Sequence, residues 1–167
     1  SAQRRELIER LRPKTAEAQR EISGSDESLE IQYECGSAES PDLFQYLFDH
    51  RSEEFRKRQT LAGPHRDDLS LNLNGMPASK FASEGQQRTV ALALKLGQTH
   101  LFLETRSQPP ILLIDDVFGE LDPARRNALM AAWPETSQKL ITTTHLDWLD
   151  DRFDSAQRLH VESATVS

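Results

Sequence analysis

The run ILLIDDVFGELD, residues 111–122, limits what this chain can fold into more than any other stretch. Four branched apolar residues, Ile111 to Ile114, lead straight into Asp115 and Asp116. A short, continuously apolar run predicts a strand buried on both faces, as in a parallel sheet. Carboxylates at its C-terminal end stand where α/β sheets hold their ligands. One acid there can hold a magnesium ion and the next can orient or deprotonate an attacking water. The same pattern also describes a buried strand that ends in two solvated acids. Downstream, Asp122-Pro123 predicts an N-cap and first-turn proline for a helix through about Ala132, closed by Pro134. Leu140 to Thr144 predicts a second parallel strand, Leu146 to Asp150 a short helical turn, and Leu159 with Val161 a final edge strand. Strand–helix–strand order from residue 111 on argues for an α/β topology.

Upstream, residues 1–22 read as helix with Leu7, Ile8 and Leu11 on a short apolar face and Pro13 as a kink or restart. Leu29, Ile31 and Tyr33 alternate with polar residues as in a half-buried strand. Ser40 and Pro41 suit the start of a helix over about 42–59, with Leu43, Phe44, Leu47 and Phe48 as its buried side. Its basic residues Arg51, Arg56, Lys57 and Arg58 could reach phosphates, but a solvated helix end is the expected role. Leu69, Leu71 and Leu73 form another alternating strand, and Asn74-Gly75 predicts a tight hairpin with a short return through Pro77 to Phe81. The longest helix is expected from Ser83 to about Thr105, apolar almost all round and deeply buried.

Bulk properties exclude several classes. No apolar run in the 167 residues reaches membrane-spanning length and no signal-peptide pattern is present, so a cytoplasmic protein without a membrane partner is expected. The single cysteine, Cys35, excludes an intramolecular disulfide and reads as a packed residue. The formal charge of −7 argues against simple DNA binding by the chain as a whole, so any DNA contact needs a local basic patch or an assembly.

Three further motifs bear on chemistry. In ASEGQQR, Ala82 to Arg88, Ser83 and Gln86 fit a capping box. The same helix start offers free N–H groups and partial positive charge to a phosphate, with Gly85 permitting close approach. GELD, Gly119 to Asp122, caps the next helix. ITTTHL places His145 after an apolar strand, where a neutral imidazole can hydrogen-bond a phosphate or an attacking water. Glycine-containing helix start, strand with two acids, x-x-L-D and Thr-His, in this order, resemble the later half of an ABC-type ATPase. The pair Asp115-Asp116 in place of the Asp-Glu usual in transporters, a longer signature helix, and GPHRDDL (Gly63 to Leu69) select a branch. Together they are similar to the RecF family of bacterial recombination-mediator ATPases, from about Leu61 to His145, with the preceding material fitting that family's second lobe.

This resemblance implies an α/β, ABC-type ATPase half with parallel strands and a long signature helix. Residues 1–60 would complete a helical lobe and residues 61–167 would carry signature, Walker B, D-loop and switch. It implies that Asp115 holds Mg2+ and that Asp116 is the catalytic carboxylate, with His145 at the switch. Ser83, Gly85 and Gln86 would contact ATP across a homodimer interface, and Asp122 would bridge subunits. His145 is followed by Leu146 rather than the usual acid, and Gly119 stands where such D-loops often have serine. Arg66 and Asp67 belong to GPHRDDL but receive no role. None of the 7 glycines precedes a Lys-Ser or Lys-Thr pair, so no phosphate loop of the form G-x-x-x-x-G-K-S/T is present. The expectation is a C-terminal portion carrying half an ATP site and little ATPase activity alone. The intact protein is expected to clamp DNA at single-strand gaps and to act with RecR and RecO so that RecA assembles. An SMC-like or RecN-like repair ATPase is the nearest alternative, although the helices before Gly63 are too short for its coiled coils. A nucleotide-free acidic interaction module is the other.

Overall fold

The structure, a computed structural model, describes residues 2–36, 43–162 and 165–166. Helix α1 (Ala2–Ser23) leads into strand β1 (Leu29–Glu34), followed by two short helices, α2 (Leu43–Asp49) and α3 (Arg51–Lys57). Strands β2 (Asp68–Leu73) and β3 (Met76–Pro77) and the short helix α4 (Ala78–Phe81) precede the long helix α5 (Glu84–Thr105). Then come β4 (Leu112–Asp115), α6 (Pro123–Ala132), β5 (Lys139–Thr142) and a terminal pair, β6 (Val161–Glu162) and β7 (Thr165–Val166). Strands β4 and β5 run parallel, Asp115 opposite Thr142, with α6 between them in the chain. The fold is α/β, as expected.

Helices α1 and α5 form the spine. Ile8, Thr15, Ala18, Gln19 and Ile22 of α1 are buried, and Val90, Ala93, Leu96 and Gly97 of α5 are buried with them. The two helices approach closely at Gly97, where a Cβ would sit 2.6 Å from Thr15 Oγ1 and 2.9 Å from the Thr15 nitrogen. Only glycine permits that approach. Lys14 and Glu104 form an ion pair at the end of the same seam. Pro13 does not restart the helix: α1 continues through it from Ala2 to Ser23. Buried residues on both sides of it hold the helix against α5, and Arg12 donates to the Ile31 carbonyl at 2.9 Å. Leu7, expected on the apolar face, is exposed.

Strands β1 and β2 pair antiparallel, Leu29 opposite Leu73 and Ile31 opposite Leu71, so the pairing crosses position 60. Asn74 (φ 52°) and Gly75 (φ 77°) both take positive φ, as the two-residue hairpin requires. Asn74 also exchanges hydrogen bonds with Ser28, its N–H to the Ser28 carbonyl and its side-chain oxygen from the Ser28 N–H. The return strand is only two residues long; helix α4 occupies the rest of the expected extended segment.

GPHRDDL is an architectural clamp. The Asp67 carboxylate, 5% exposed, accepts from the Tyr33 hydroxyl, from the Gly36 N–H at 3.0 Å and from Arg4 at 2.8 Å. These bonds, the Tyr33 hydroxyl foremost, hold its pKa down at about 2. Arg66 donates to the Thr60 carbonyl and to the Gln59 side chain. The two residues thus tie α1, β1 and the end of the α3 segment together.

Four further expectations fail. The helix over 42–59 is two helices that meet at His50, whose carbonyl starts α3 and whose N–H closes α2 on Tyr46. No residue in either is buried, and Leu43, Phe44, Phe48 and Phe55 are exposed. The apolar period is present, but Leu47 is only half-buried and the rest of that side is exposed. Ser40 and Pro41 lie outside the described residues. Strand β4 is buried on one face only. Ile114 turns inward with Phe118, Leu121 and Leu129, whereas Ile111, Leu113 and Leu140 lie on an open side. Leu146–Asp150 forms a non-helical turn, and the helical turn comes later, at 151–153. Leu159 precedes the last strand pair instead of joining it.

Candidate functional site

The acid pair stands at the end of β4, both carboxylates exposed. Thr142, opposite Asp115 on β5, organises it. The Thr142 hydroxyl donates to Asp115 Oδ1 at 2.5 Å and accepts from the Asp116 N–H at 3.2 Å, and the Thr142 carbonyl accepts from the same N–H at 3.1 Å. Asp116 takes φ 48°, a left-handed conformation that aspartate tolerates better than most residues. The chain therefore turns sharply out of the strand, with Thr142 holding the carboxylate of Asp115 and the backbone of Asp116. These oxygens suit a hard cation that keeps waters and substrate phosphates in its shell. Among the described residues no group of three or more His, Cys, Asp or Glu side chains could hold a metal alone. Asp115 can thus supply part of a magnesium shell, not all of it.

After the acids, Phe118 is fully buried and anchors the turn. Its ring contacts Trp133 edge-on at 5.4 Å and Trp148 at 4.6 Å. Trp148 in turn donates from its indole to the Thr143 hydroxyl at 3.2 Å. Thr143 accepts from the His145 N–H and donates to the His145 carbonyl, which braces the segment that carries the imidazole. His145 Nδ1 lies 2.8 Å from the Thr144 hydroxyl. Gly119 connects the two parts. It lines an open cleft with Arg126, His145, Asp147 and Trp148, and a Cβ on it would stand 3.7 Å from Asp116 Oδ1. A side chain at 119 would therefore fit.

The start of α5 forms a second cluster. Ser83 and Gln86 make the full capping box: Gln86 N–H to Ser83 Oγ at 3.3 Å, Ser83 N–H to Gln86 Oε1 at 2.9 Å. The N–H groups of Glu84 and Gly85 belong to the first turn, which a helix cannot pair internally. The Gln86 amide nitrogen is turned inward, donating to Glu27 at 2.9 Å. Asp122 caps α6, accepting the Ala124 and Arg125 N–H groups at 3.1 Å. Arg125 reaches back so that its Nη1 stands 2.9 Å from where a Gly85 Cβ would be. Arg88 pairs with Glu120 at 3.1 Å and with Glu84 at 3.2 Å. The residues after the acid pair and the start of α5 are thereby joined. Among the described residues, no hydrogen bond joins Ser83, Gly85 or Gln86 directly to Asp115 or Asp116.

Thr142, Thr143, Arg88, Arg125 and Glu27 were not singled out by the sequence reading. The run of three threonines before His145 and the doubled arginine after Asp122 were the available signals.

No protein-family model matches the chain. It is 40% identical over 172 residues to the DNA replication and repair protein RecF of Gloeothece citriformis, covering 98% of this chain and 45% of that protein. It is also 40% identical over 169 residues to RecF of Trichormus variabilis, covering 96% of this chain and 45% of that protein. Among solved structures, the recombination mediator protein RecF-ATPrS in the RecFOR pathway superposes with a TM-score of 0.70 at 30% identity, over 87% of this chain and 41% of that one. The chain spans a little under half the length of the curated relatives it matches.

Proposed function

We propose that this RecF-like chain contributes two edges of an ATP site in a DNA-repair and replication ATPase that acts as a recombination mediator. The observation that carries the reading is the Asp115–Asp116 pair, held at the end of a parallel strand by Thr142, in a chain with the fold of RecF. In this reading Asp115 holds Mg2+, which when bound would neutralise charge on the phosphates. Asp116 accepts a hydrogen bond from the attacking water and polarises it. His145, across Gly119, hydrogen-bonds the terminal phosphate. Ser83 and the Glu84 and Gly85 N–H groups face a nucleotide held by the second subunit of a homodimer, and Asp122 lies at the subunit boundary. Gln86 serves that edge by fixing it, since its carboxamide is engaged within the chain.

Among the described residues, Ser83, Gly85 and Gln86 make no hydrogen bond to Asp115 or Asp116, and each cluster lacks what the other supplies, which supports a shared site of this kind. ATP would favour a closed dimer on DNA at single-strand gaps and hydrolysis would open it. RecR and RecO would act with it to load RecA. The residues 1–60 and 61–167 would belong to the helical and ATPase lobes respectively.

The test compares ATP binding and DNA-stimulated hydrolysis by this chain alone with the same chain joined to the rest of its relatives' length. Turnover only in the joined protein is expected. Turnover by the chain alone would overturn the half-site reading.

A further inference from the structure

We propose that Glu27 is a positioning residue for the nucleotide-facing edge of α5. The inference rests on the reading of that edge given above. Glu27 lies in the turn between α1 and β1, and its two carboxylate oxygens receive two different amides. Oε1 accepts from Gln86 at 2.9 Å and Oε2 accepts from Gln19 at 2.9 Å. Gln19 is fully buried on α1, where an amide without an acceptor is costly. The turn itself is pinned from the other side by the paired hydrogen bonds between Ser28 and Asn74. Glu27 is therefore a fixed acceptor, backed by α1 and by the hairpin.

What it fixes is the direction of a carboxamide. Gln86 must present its oxygen to the Ser83 N–H and its nitrogen elsewhere for the capping box to close. A carboxylate beside the nitrogen enforces that choice, because a carboxylate only accepts. The box in turn sets where the Ser83 hydroxyl and the Glu84 and Gly85 N–H groups point. The line Gln19–Glu27–Gln86–Ser83 thus carries the placement of α1 to the first turn of α5. A neutral amide at position 27 would offer one acceptor where two donors arrive, and would leave Gln86 free to flip.

The test uses E27Q, the double variant E27Q/Q86E and D116N. In the double variant the new carboxylate at 86 still accepts the Ser83 N–H, and the amide at 27 donates to it while accepting from Gln19. In this chain, exchange of the Ser83 backbone amide is expected to speed up about tenfold in E27Q and to recover in the double variant. In the protein joined to the rest of its relatives' length, E27Q is expected to lower maximal ATP turnover about tenfold with KM for ATP within about twofold. The double variant is expected to regain most of that rate. Unchanged amide exchange in E27Q overturns the clamp. Normal turnover in E27Q beside lost turnover in D116N overturns the positioning role alone. A fall in thermal midpoint with rate and KM shifting together, or a loss that the double variant does not repair, marks Glu27 as merely structural and overturns the proposal. Turnover that survives D116N overturns instead the reading of the nucleotide site.

Discussion

The Thr142 hydroxyl binds Asp115 Oδ1 and the Asp116 N–H at once, so one side chain on β5 sets the direction of one acid and the backbone of the next. Thr142→Val keeps the shape and removes the hydroxyl. A hydrogen bond to a charged group contributes about 1.5–3 kcal/mol where water is excluded, and less at this exposed position. ATP turnover in the joined protein is therefore expected to fall about tenfold. Thr142→Ser should stay within about threefold, because it keeps the donor. Steady-state hydrolysis of the three proteins decides the matter, and equal rates for serine and valine would remove Thr142 from the site.

Gly97 poses a contest between two effects. Alanine is favoured over glycine in a helix interior by about 1 kcal/mol. Against that, its Cβ would stand 2.9 Å from the Thr15 nitrogen and 3.1 Å from the Thr15 Cα, backbone atoms that cannot rotate away. Overpacking of this kind costs about 1–3 kcal/mol. Gly97→Ala is expected to lower the unfolding free energy, as measured by denaturant titration at unchanged slope. A stabilised variant would mean that α1 and α5 can part without loss.

Asp67 predicts a dependence on pH with a definite sign. Its pKa is held at about 2, below the ordinary 3.8, chiefly by the Tyr33 hydroxyl. A depressed carboxylate contributes stability that is complete above its ordinary pKa and lost as pH falls through the folded one. The thermal midpoint of Asp67→Asn should therefore lie below that of the wild type at neutral pH. The gap should close between about pH 4 and pH 2. Tyr33 mirrors this in base: Asp67 raises its pKa above 10.0, so that contribution is present below the ordinary value and lost as pH rises through the raised one. A gap between the two proteins that stays constant from pH 7 to pH 2 would separate Asp67 from acid stability.

What the sequence made legible was local. The Ser83–Gln86 box, the Asp122-Pro123 helix start and the Asn74-Gly75 hairpin each need only a few adjacent residues, and each is present. The open sides of β4 and of α2 were not legible, because apolar periodicity marks which residues seek cover and not what covers them. Thr142 was hidden for another reason: its partner Asp115 is 27 residues away, and only strand register brings them together. The inward turn of Gln86 depends on Glu27, 59 residues distant. A motif can place a side chain at a helix start without revealing that another element has already engaged it.

The left-handed backbone of Asp116, φ 48°, allows its chemical and conformational roles to be separated. Glycine at this position relieves the conformation and removes the carboxylate. Asparagine removes the charge and still tolerates the left-handed region, whereas alanine neither tolerates it nor replaces the acid. Turnover in the joined protein should be lost in all three if Asp116 polarises the attacking water. Stability should divide them, with Asp116→Ala about 1 kcal/mol below Asp116→Asn, and Asp116→Gly at or above the asparagine variant. Denaturant unfolding of the chain alone measures the second ordering without any nucleotide. Equal stability for alanine and asparagine would show that the turn after β4 relaxes once the acid is gone. The exposed conformation of Asp116 would then be a consequence of its side chain and not of the Thr142 anchor behind it.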